Sequence, residues 1–322
     1  MRIIIVGIGA IGGTLAVALT DAGHHVIGVA RGAQLRIIKH AGLLMRSPMG
    51  AKTAQFACAT NPIEIDFRPD DMIVLATKTQ DTAAVLADLA TAGVTTQPIF
   101  CAQNGVENER LAQRRFPNVH GVAVMMPVDF LTPGEVAAYG APHHGIFELG
   151  RYPSGTDDAD TRFAEALKSA NIAAFTAPDV MAGKYGKLLM NLNNIVDAAF
   201  GDKVDTTKIR AALRAEGEAV YKAAKISWRD TGNADPRRKT LMQIQPIANL
   251  TRTGSSSTQS LMRGAKSIET EYLNGEICLL GRLNGVPTPV NDYFCALATE
   301  MITDQIAPGT ISPERVTKHL AL

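Results

Sequence analysis

Residues 2–6 (RIIIV) form an apolar, β-branched run that ends in glycine, and a run this short and this rich in Ile predicts a buried strand. Small and apolar residues over 14–22 suit a helix packed on a sheet. Gly23 stands where a helix-ending glycine belongs, and 25–30 is apolar again, so the first segment reads as a βαβ unit. The alternation continues with a strand at 72–77, a helix at 82–91 and a strand at 98–102, and the apolar pieces 119–126 and 145–149 extend the same sheet. Strands alternating with helices predict a parallel sheet covered on both faces.

After Gly150 the texture changes. RYPSGTDDAD is polar and carries proline and glycine, as a loop or linker does. Residues 184–200, 207–228 and 260–284 then show helical apolar spacing, with no strand-like alternation of comparable length. The expected fold class is α/β, with an N-terminal Rossmann-type parallel sheet domain over 1–178 and an all-helical domain over 179–322. A chain of 322 residues is long enough for two such cores. Segment 229–258, which runs into TRTGSSSTQS, reads as a loop. No repeat of solenoid period is present.

Composition narrows the class. With 46% hydrophobic and 20% charged residues the chain is globular in type. Lys and Arg total 32 against 31 Asp and Glu, so no net charge draws the chain to nucleic acid or to an anionic membrane, and an anion must be held locally. The four cysteines, Cys58, Cys101, Cys278 and Cys295, lack Cys-x-x-Cys spacing and read as buried free thiols of a cytoplasmic protein. The glycine-interrupted start does not have the build of a signal peptide, and no apolar run is long enough to span a bilayer. His143 and His144 are adjacent, with no acid or cysteine at ligand spacing; they read as surface histidines, and no metal site is expected.

Chemistry enters at Gly7-Ile8-Gly9-Ala10-Ile11-Gly12. In Gly-x-Gly-x-x-Gly between a strand and a helix, the first glycine permits the tight turn and the second lets a pyrophosphate approach the backbone. The third lets helix and strand pack closely, and the helix start offers unpaired N–H groups to the anion. At the end of the second strand an NAD site carries an acid. This chain reads VIGVARG there, with Arg31 in that place. A guanidinium can take two oxygens of a 2′-phosphate at once, so NADP(H) is the expected cofactor.

Four later segments, ATKTQ, AQNGVEN, KYGKLLMNLNN and SIETEYLNGEICLLGRLNGVPTPVN, follow that start in an order that resembles the ketopantoate reductase (2-dehydropantoate 2-reductase) family over nearly the whole chain. The resemblance implies reduction of a small 2-oxo acid, ketopantoate, to D-pantoate in pantothenate biosynthesis, in a cleft between domains. Lys187 matches the family's general acid, and an ammonium is suited to stabilising and then protonating the oxygen that gains charge as a 2-oxo carbon is reduced. Glu269 matches the glutamate associated with that lysine and with the substrate hydroxyl. Asn191 lies four residues after Lys187 and Asn194 three further along the same helix face; both are expected at the hydroxyl. The family's second asparagine falls at Ile195 in this chain. For the serine that binds the carboxylate, ungapped counting selects Ser257, whereas alignment on Gln259 selects Ser256, which is preferred. Lys78 and Asn104 match positions at the nicotinamide and its ribose, with Asn104 also near substrate. Glu271 reads as a solvated charge, and Asn274 and Gly275 as packing positions. The long apolar helices suit a homodimer. The alternatives are a related reductase of another 2-oxo acid and an NADP-sensing module without catalysis.

Overall fold

The computed structural model describes residues 1–232 and 234–320. By compactness these fall into two units, Met1–Lys184 with the described residues of Asn233–Thr251, and Tyr185–Gly232 with the described residues of Arg252–Leu322.

In the first unit the chain runs β1 (Arg2–Val6), α1 (Ala10–Asp21), β2 (His25–Val29), α2 (Gly32–Ala41), β3 (Leu43–Ser47), β4 (Gly50–Ala54), β5 (Ala57–Ala59), β6 (Met72–Leu75), α3 (Thr82–Thr91), β7 (Ile99–Cys101), α4 (Glu107–Gln113) and β8 (Val119–Met125). It continues with β9 (Val128–Thr132), β10 (Glu135–Ala138), β11 (Gly140–Pro142), β12 (Ile146–Arg151), α5 (Asp158–Ser169) and β13 (Ala173–Thr176). Among the described residues, the main sheet has the order β13-β12-β8-β7-β6-β1-β2-β5. The six strands from β5 to β8 are mutually parallel. The sheet is nevertheless mixed, because β12 runs antiparallel to β8 and β13 parallel to β12.

β1 explains the unbroken apolar run. Successive side chains of a strand point to opposite faces, so Ile3 and Ile5 pack with Leu15 and Leu19 of α1 on one face. Ile4 and Val6 pack with Val85, Leu86 and Leu89 of α3 on the other. Arg2, at the same strand's start, donates to both carboxylate oxygens of Asp71 at 2.7 and 2.6 Å and to the Asp66 carbonyl at 2.6 Å, which ties β1 to the turn before β6. Gly23 follows α1 at φ +85°, a left-handed conformation suited to glycine.

Two parts of this unit lie outside the sequence reading. A second sheet, β4-β3-β10-β9, packs against α1, with Val136 and Leu43 so near Gly13 that a Cβ there would sit 3.0 and 3.2 Å from them. Its strands are short and β4 is largely exposed, so no apolar alternation announces them. The segment read as a loop at 229–258 contains α9 (Arg237–Leu241) and β14 (Met242–Ile244), which pairs with β11. Arg237 there donates to Glu148 of β12 at 2.6 Å and to Asp235 at 2.7 Å.

α6 (Val180–Asn191) begins in the first unit, and the division falls after its Lys184. The second unit continues with α7 (Asn194–Phe200), α8 (Thr207–Ala223), α10 (Ser256–Met262), α11 (Thr270–Asn284), α12 (Pro289–Thr303) and α13 (Pro313–Leu320). The runs read as single helices at 184–200 and 260–284 are each divided, at Leu192–Asn193 and between α10 and α11. Glu216 of α8 accepts from the backbone amides of Val290 and Asn291 at 2.8 and 2.9 Å, a carboxylate on the otherwise unpaired N–H groups of the first turn of α12. No described helix is long and apolar enough to cross a membrane.

The cysteines are free, with Cys101 and Cys278 buried and Cys58 and Cys295 half-buried rather than buried. The histidine pair also departs from expectation. His143 Nδ1 pairs with Asn171 Oδ1 at 2.9 Å, and His144 is buried rather than at the surface, 5% exposed. Burial, with Lys52 and His143 adding to it, pushes His144 down to about 4. Between pH 6.5 and 4 the unfolded chain therefore takes up a proton that the folded chain refuses, and stability falls as pH is lowered through that window. Urea unfolding at pH 4 to 7 should show His144→Gln losing less stability across the window than wild type, by up to about 3 kcal/mol. Equal slopes in the two proteins would remove this role.

Candidate active site

In the first unit the chain leaves β1 through Gly7, whose φ of +102° favours glycine. Gly9 is the N-cap of α1, and no side chain caps that helix start. A Cβ at Gly12 would overlap the Gly7 carbonyl oxygen and press on Ala76, so only glycine lets α1 lie this close to the strand ends. A Cβ at Gly9 would meet nothing within 4 Å. The open side of Gly9 and the uncapped first turn of α1 together could serve as a cradle for an anion such as a dinucleotide pyrophosphate. Ile8 is buried in the core at 4% exposure, so its contribution to a ligand would be its backbone. Ala10 and Ile11 are half-buried. The loop is held from below by Gln34, which donates to the Ile8 carbonyl at 3.0 Å and accepts from the Gly134 amide at 2.6 Å.

The chain reverses sheet direction between β1 and β6, the switch point at which ligands of open parallel sheets collect. Three predicted residues lie at strand ends on this side. Arg31 follows β2 as the exposed N-cap of α2, and its guanidinium has no hydrogen-bond or ion-pair partner among the described residues. Lys78, half-buried, follows β6 and precedes a short 3-10 turn. Asn104, half-buried, follows β7 and precedes Gly105 at φ +78°.

A polar network lies beneath Lys78 and Asn104. Gln103 donates to Thr82 Oγ1 at 2.8 Å, Thr82 donates to Asn108 Oδ1 at 2.7 Å, and Asn108 donates to the Asn104 carbonyl at 3.0 Å and to Thr79 Oγ1 at 3.2 Å. Lys184 joins it through the carbonyls of Cys101 and Gln103 at 3.2 and 3.1 Å and through Glu109. Burial holds the Glu109 carboxyl above the usual carboxylate range, with Lys184 pulling it back. Gln34, Thr82, Asn108 and Lys184 carry no local signature of these roles, since most of their partners lie distant in the chain.

In the second unit Lys187 is half-buried on α6. Asn191 ends that helix, 8% exposed, and its amide nitrogen has no hydrogen-bond partner among the described residues. The expectation that Asn194 continues the same helix face is corrected: the helix stops at Asn191, and Asn194 opens α7 with Asn193 as N-cap. Ile195 is fully buried in the core. Asn194 donates instead to Ser256 Oγ at 3.2 Å. The three serines thus have separate surroundings. Ser255 caps α10 by accepting from the Thr258 amide and donates to the Asn194 carbonyl at 2.8 Å, Ser256 meets the Asn194 amide, and Ser257 is buried at 2% exposure.

Glu269 is the buried N-cap of α11, and Glu271 is exposed. Asn274 packs as expected of it, donating to the Leu192 carbonyl at 3.3 Å in the turn between α6 and α7 and to Asn291 Oδ1 at 3.1 Å. A strap at 228–232 rests on α6: a Cβ at Gly186 would overlap the Arg229 carbonyl, and one at Gly232 would sit 2.8 Å from the Met190 sulfur. Arg214 of α8 holds the strap, with its guanidinium 5.3 Å over the Trp228 ring and 3.5 Å from Asp230.

Among the described residues, His120, Asp157 and Asp160 bring ligand-type atoms within 4.8 Å of one another. Arg151 already donates to Asp157 at 2.7 Å, His120 is bonded to Asp160 and Asn118 at 2.8 and 2.9 Å, and the two aspartates form the capping box of α5. The cluster is a helix cap with its own cation.

Residues 3–154 match the family model for ketopantoate reductase PanE/ApbA, and residues 179–301 match that for the ketopantoate reductase PanE/ApbA C terminal. A 2-dehydropantoate 2-reductase of Pyrococcus horikoshii is 25% identical over 302 residues, covering 92% of this chain and 96% of that protein. One of Archaeoglobus fulgidus is 27% identical over 301 residues, covering 90% and 94%. Among solved structures, a PanE/ApbA family ketopantoate reductase from Ralstonia eutropha JMP134 is similar with a TM-score of 0.78 at 24% identity, over 95% of this chain and 99% of the other. D-mandelate dehydrogenase with NADH and anilino(oxo)acetate gives 0.79 at 23%, over 95% and 99%. These two structures speak to the fold. The two family models together span most of the chain, which belongs to the ketopantoate reductase family of oxidoreductases.

Proposed function

We propose that this chain reduces 2-dehydropantoate (ketopantoate) to D-pantoate with NADPH, the conversion that serves pantothenate biosynthesis. The observation that carries the substrate half is the grouping at the end of α6, where Asn191 has an unused amide nitrogen and Asn194 meets Ser256. Such amides and a hydroxyl suit a substrate with a carboxylate at one end and a hydroxyl at the other. In this reading Ser256 binds the carboxylate, and Asn191, Asn194 and Glu269 bind the hydroxyl end. Lys187 stabilises and protonates the oxygen that gains charge as C2 is reduced, and Glu269 keeps the ammonium charged and in place.

A reduced nicotinamide supplies the hydride. The glycine cradle fits its dinucleotide, and D-mandelate dehydrogenase, of like fold, was solved with NADH. The finer choice of NADPH rests on Arg31, an exposed guanidinium without an acid or ion-pair partner at the end of β2. Lys78 and Asn104 take the nicotinamide side. Free thiols suit a reducing cytoplasm.

Four measurements test this reading. Purified protein should oxidise NADPH faster with ketopantoate than with other 2-oxo acids, and Lys187→Ala should lower kcat about 10²- to 10⁴-fold, the usual span for a lost general acid; full turnover without Lys187 would refute its role. Arg31→Ala should raise the KM for NADPH about 10- to 100-fold, as the loss of a charge-assisted contact does, and leave NADH use unchanged. Equal loss with both cofactors would sink the NADP assignment. Gly9→Ala should melt within a few degrees of wild type, because its Cβ enters open space, yet bind NADPH about tenfold or more weakly through the lost backbone approach. Unchanged affinity would place the pyrophosphate elsewhere.

A further inference from the structure

Nothing in the proposed chemistry uses Lys184, yet its side chain is buried and fully engaged. It is 3% exposed, and its ammonium has three acceptors for its three N–H bonds: the Cys101 carbonyl, the Gln103 carbonyl and Glu109 Oε1. Glu109, on α4, is fully buried, and its second oxygen has no hydrogen-bond partner among the described residues. Burying an ammonium and a carboxylate is costly even when they pair, and apolar residues of like volume commonly do as well for stability. The pair therefore calls for an explanation other than stability.

The two carbonyls supply one. They bracket Ala102, whose amide makes the last ladder bond of β7, to the Leu75 carbonyl at 2.9 Å. From there the chain turns through Gln103, Asn104 and Gly105 towards α4. Lys184 gathers the Cys101 and Gln103 carbonyls at one point, and Glu109 anchors that point to α4, the helix the turn leads into. Asn108 closes the far side by donating to the Asn104 carbonyl at 3.0 Å. The turn is thus fixed immediately before and at Asn104, while the Asn104 side chain stays half-buried.

We infer that Lys184 and Glu109 are positioning residues: they hold the turn after β7 so that Asn104 meets the nicotinamide end of the bound dinucleotide already in place. This rests on the cofactor role proposed for Asn104. A preset contact needs no ordering of the loop on binding, so releasing the turn costs affinity through Asn104 itself. Lys184 and Asn104 should then act as one unit, and their substitutions should not add.

NADPH dissociation constants, measured by nicotinamide fluorescence on the full chain without substrate, test this independently of which 2-oxo acid is reduced. Asn104→Ala and Lys184→Met should each weaken NADPH about tenfold, and the two together no more than about twofold beyond either alone. If Lys184→Met fails to fold with Glu109 left buried and unpaired, Lys184→Met/Glu109→Gln removes both charges and is compared with and without Asn104→Ala. Losses that multiply to about a hundredfold would show that Lys184 does not act through Asn104 and would overturn the proposal, as would unchanged affinity in the Lys184 variants. Wild-type affinity in Asn104→Ala would instead withdraw the cofactor role of Asn104 on which the proposal rests, a result distinct from multiplying losses.

Discussion

The first unit is organised around one close approach, that of α1 to the turn after β1 at Gly12. A single methyl group at Gly12 would collide with the Gly7 carbonyl, and the helix would have to move off the sheet. With the helix in place its uncapped start lies beside the open backbone of Gly9, at the point where strand order reverses. Other contacts reinforce this approach. Gln34 fixes the Ile8 carbonyl, the second sheet closes on Gly13, and Arg2 with Asp71 secures the opposite end of β1. The buried strand faces supply the driving force, since each apolar side chain on either face is removed from water.

In the second unit the corresponding constraint is the interruption between α6 and α7. A continuous helix would keep Asn191 and Asn194 on one face; the break redirects Asn194 to Ser256 and lets Ile195 enter the core. Asn274 stabilises the break by donating to the Leu192 carbonyl, which the interrupted helix leaves without its usual partner.

Residues whose meaning is local were legible in the sequence. The glycine triplet, the β-branched strand before it and Arg31 at the end of β2 are readable because turn geometry, periodicity and charge act within a few residues. Of the three serines, Ser256 meets Asn194, Ser255 caps α10 and Ser257 is buried, a difference set by folding and not by the run itself. What was not legible depends on distant partners. Lys184 in KYGK looks like any helix lysine until Glu109 and the Cys101 and Gln103 carbonyls surround it. β14 hides in a polar stretch because β11, about 100 residues earlier, gives it a partner. The helix break at Leu192–Asn193 falls in an apolar pattern that continues through it, so periodicity reports one helix where there are two.

The strap held by Arg214 has an optical consequence. Trp228 is the only tryptophan in the chain, so indole absorption and emission arise from a single place, beneath a guanidinium and beside the part of α6 between Gly186 and Met190. The protein carries a built-in chromophore on the helical unit and none of its kind on the sheet unit. A spectral change in that band is therefore a report from the strap.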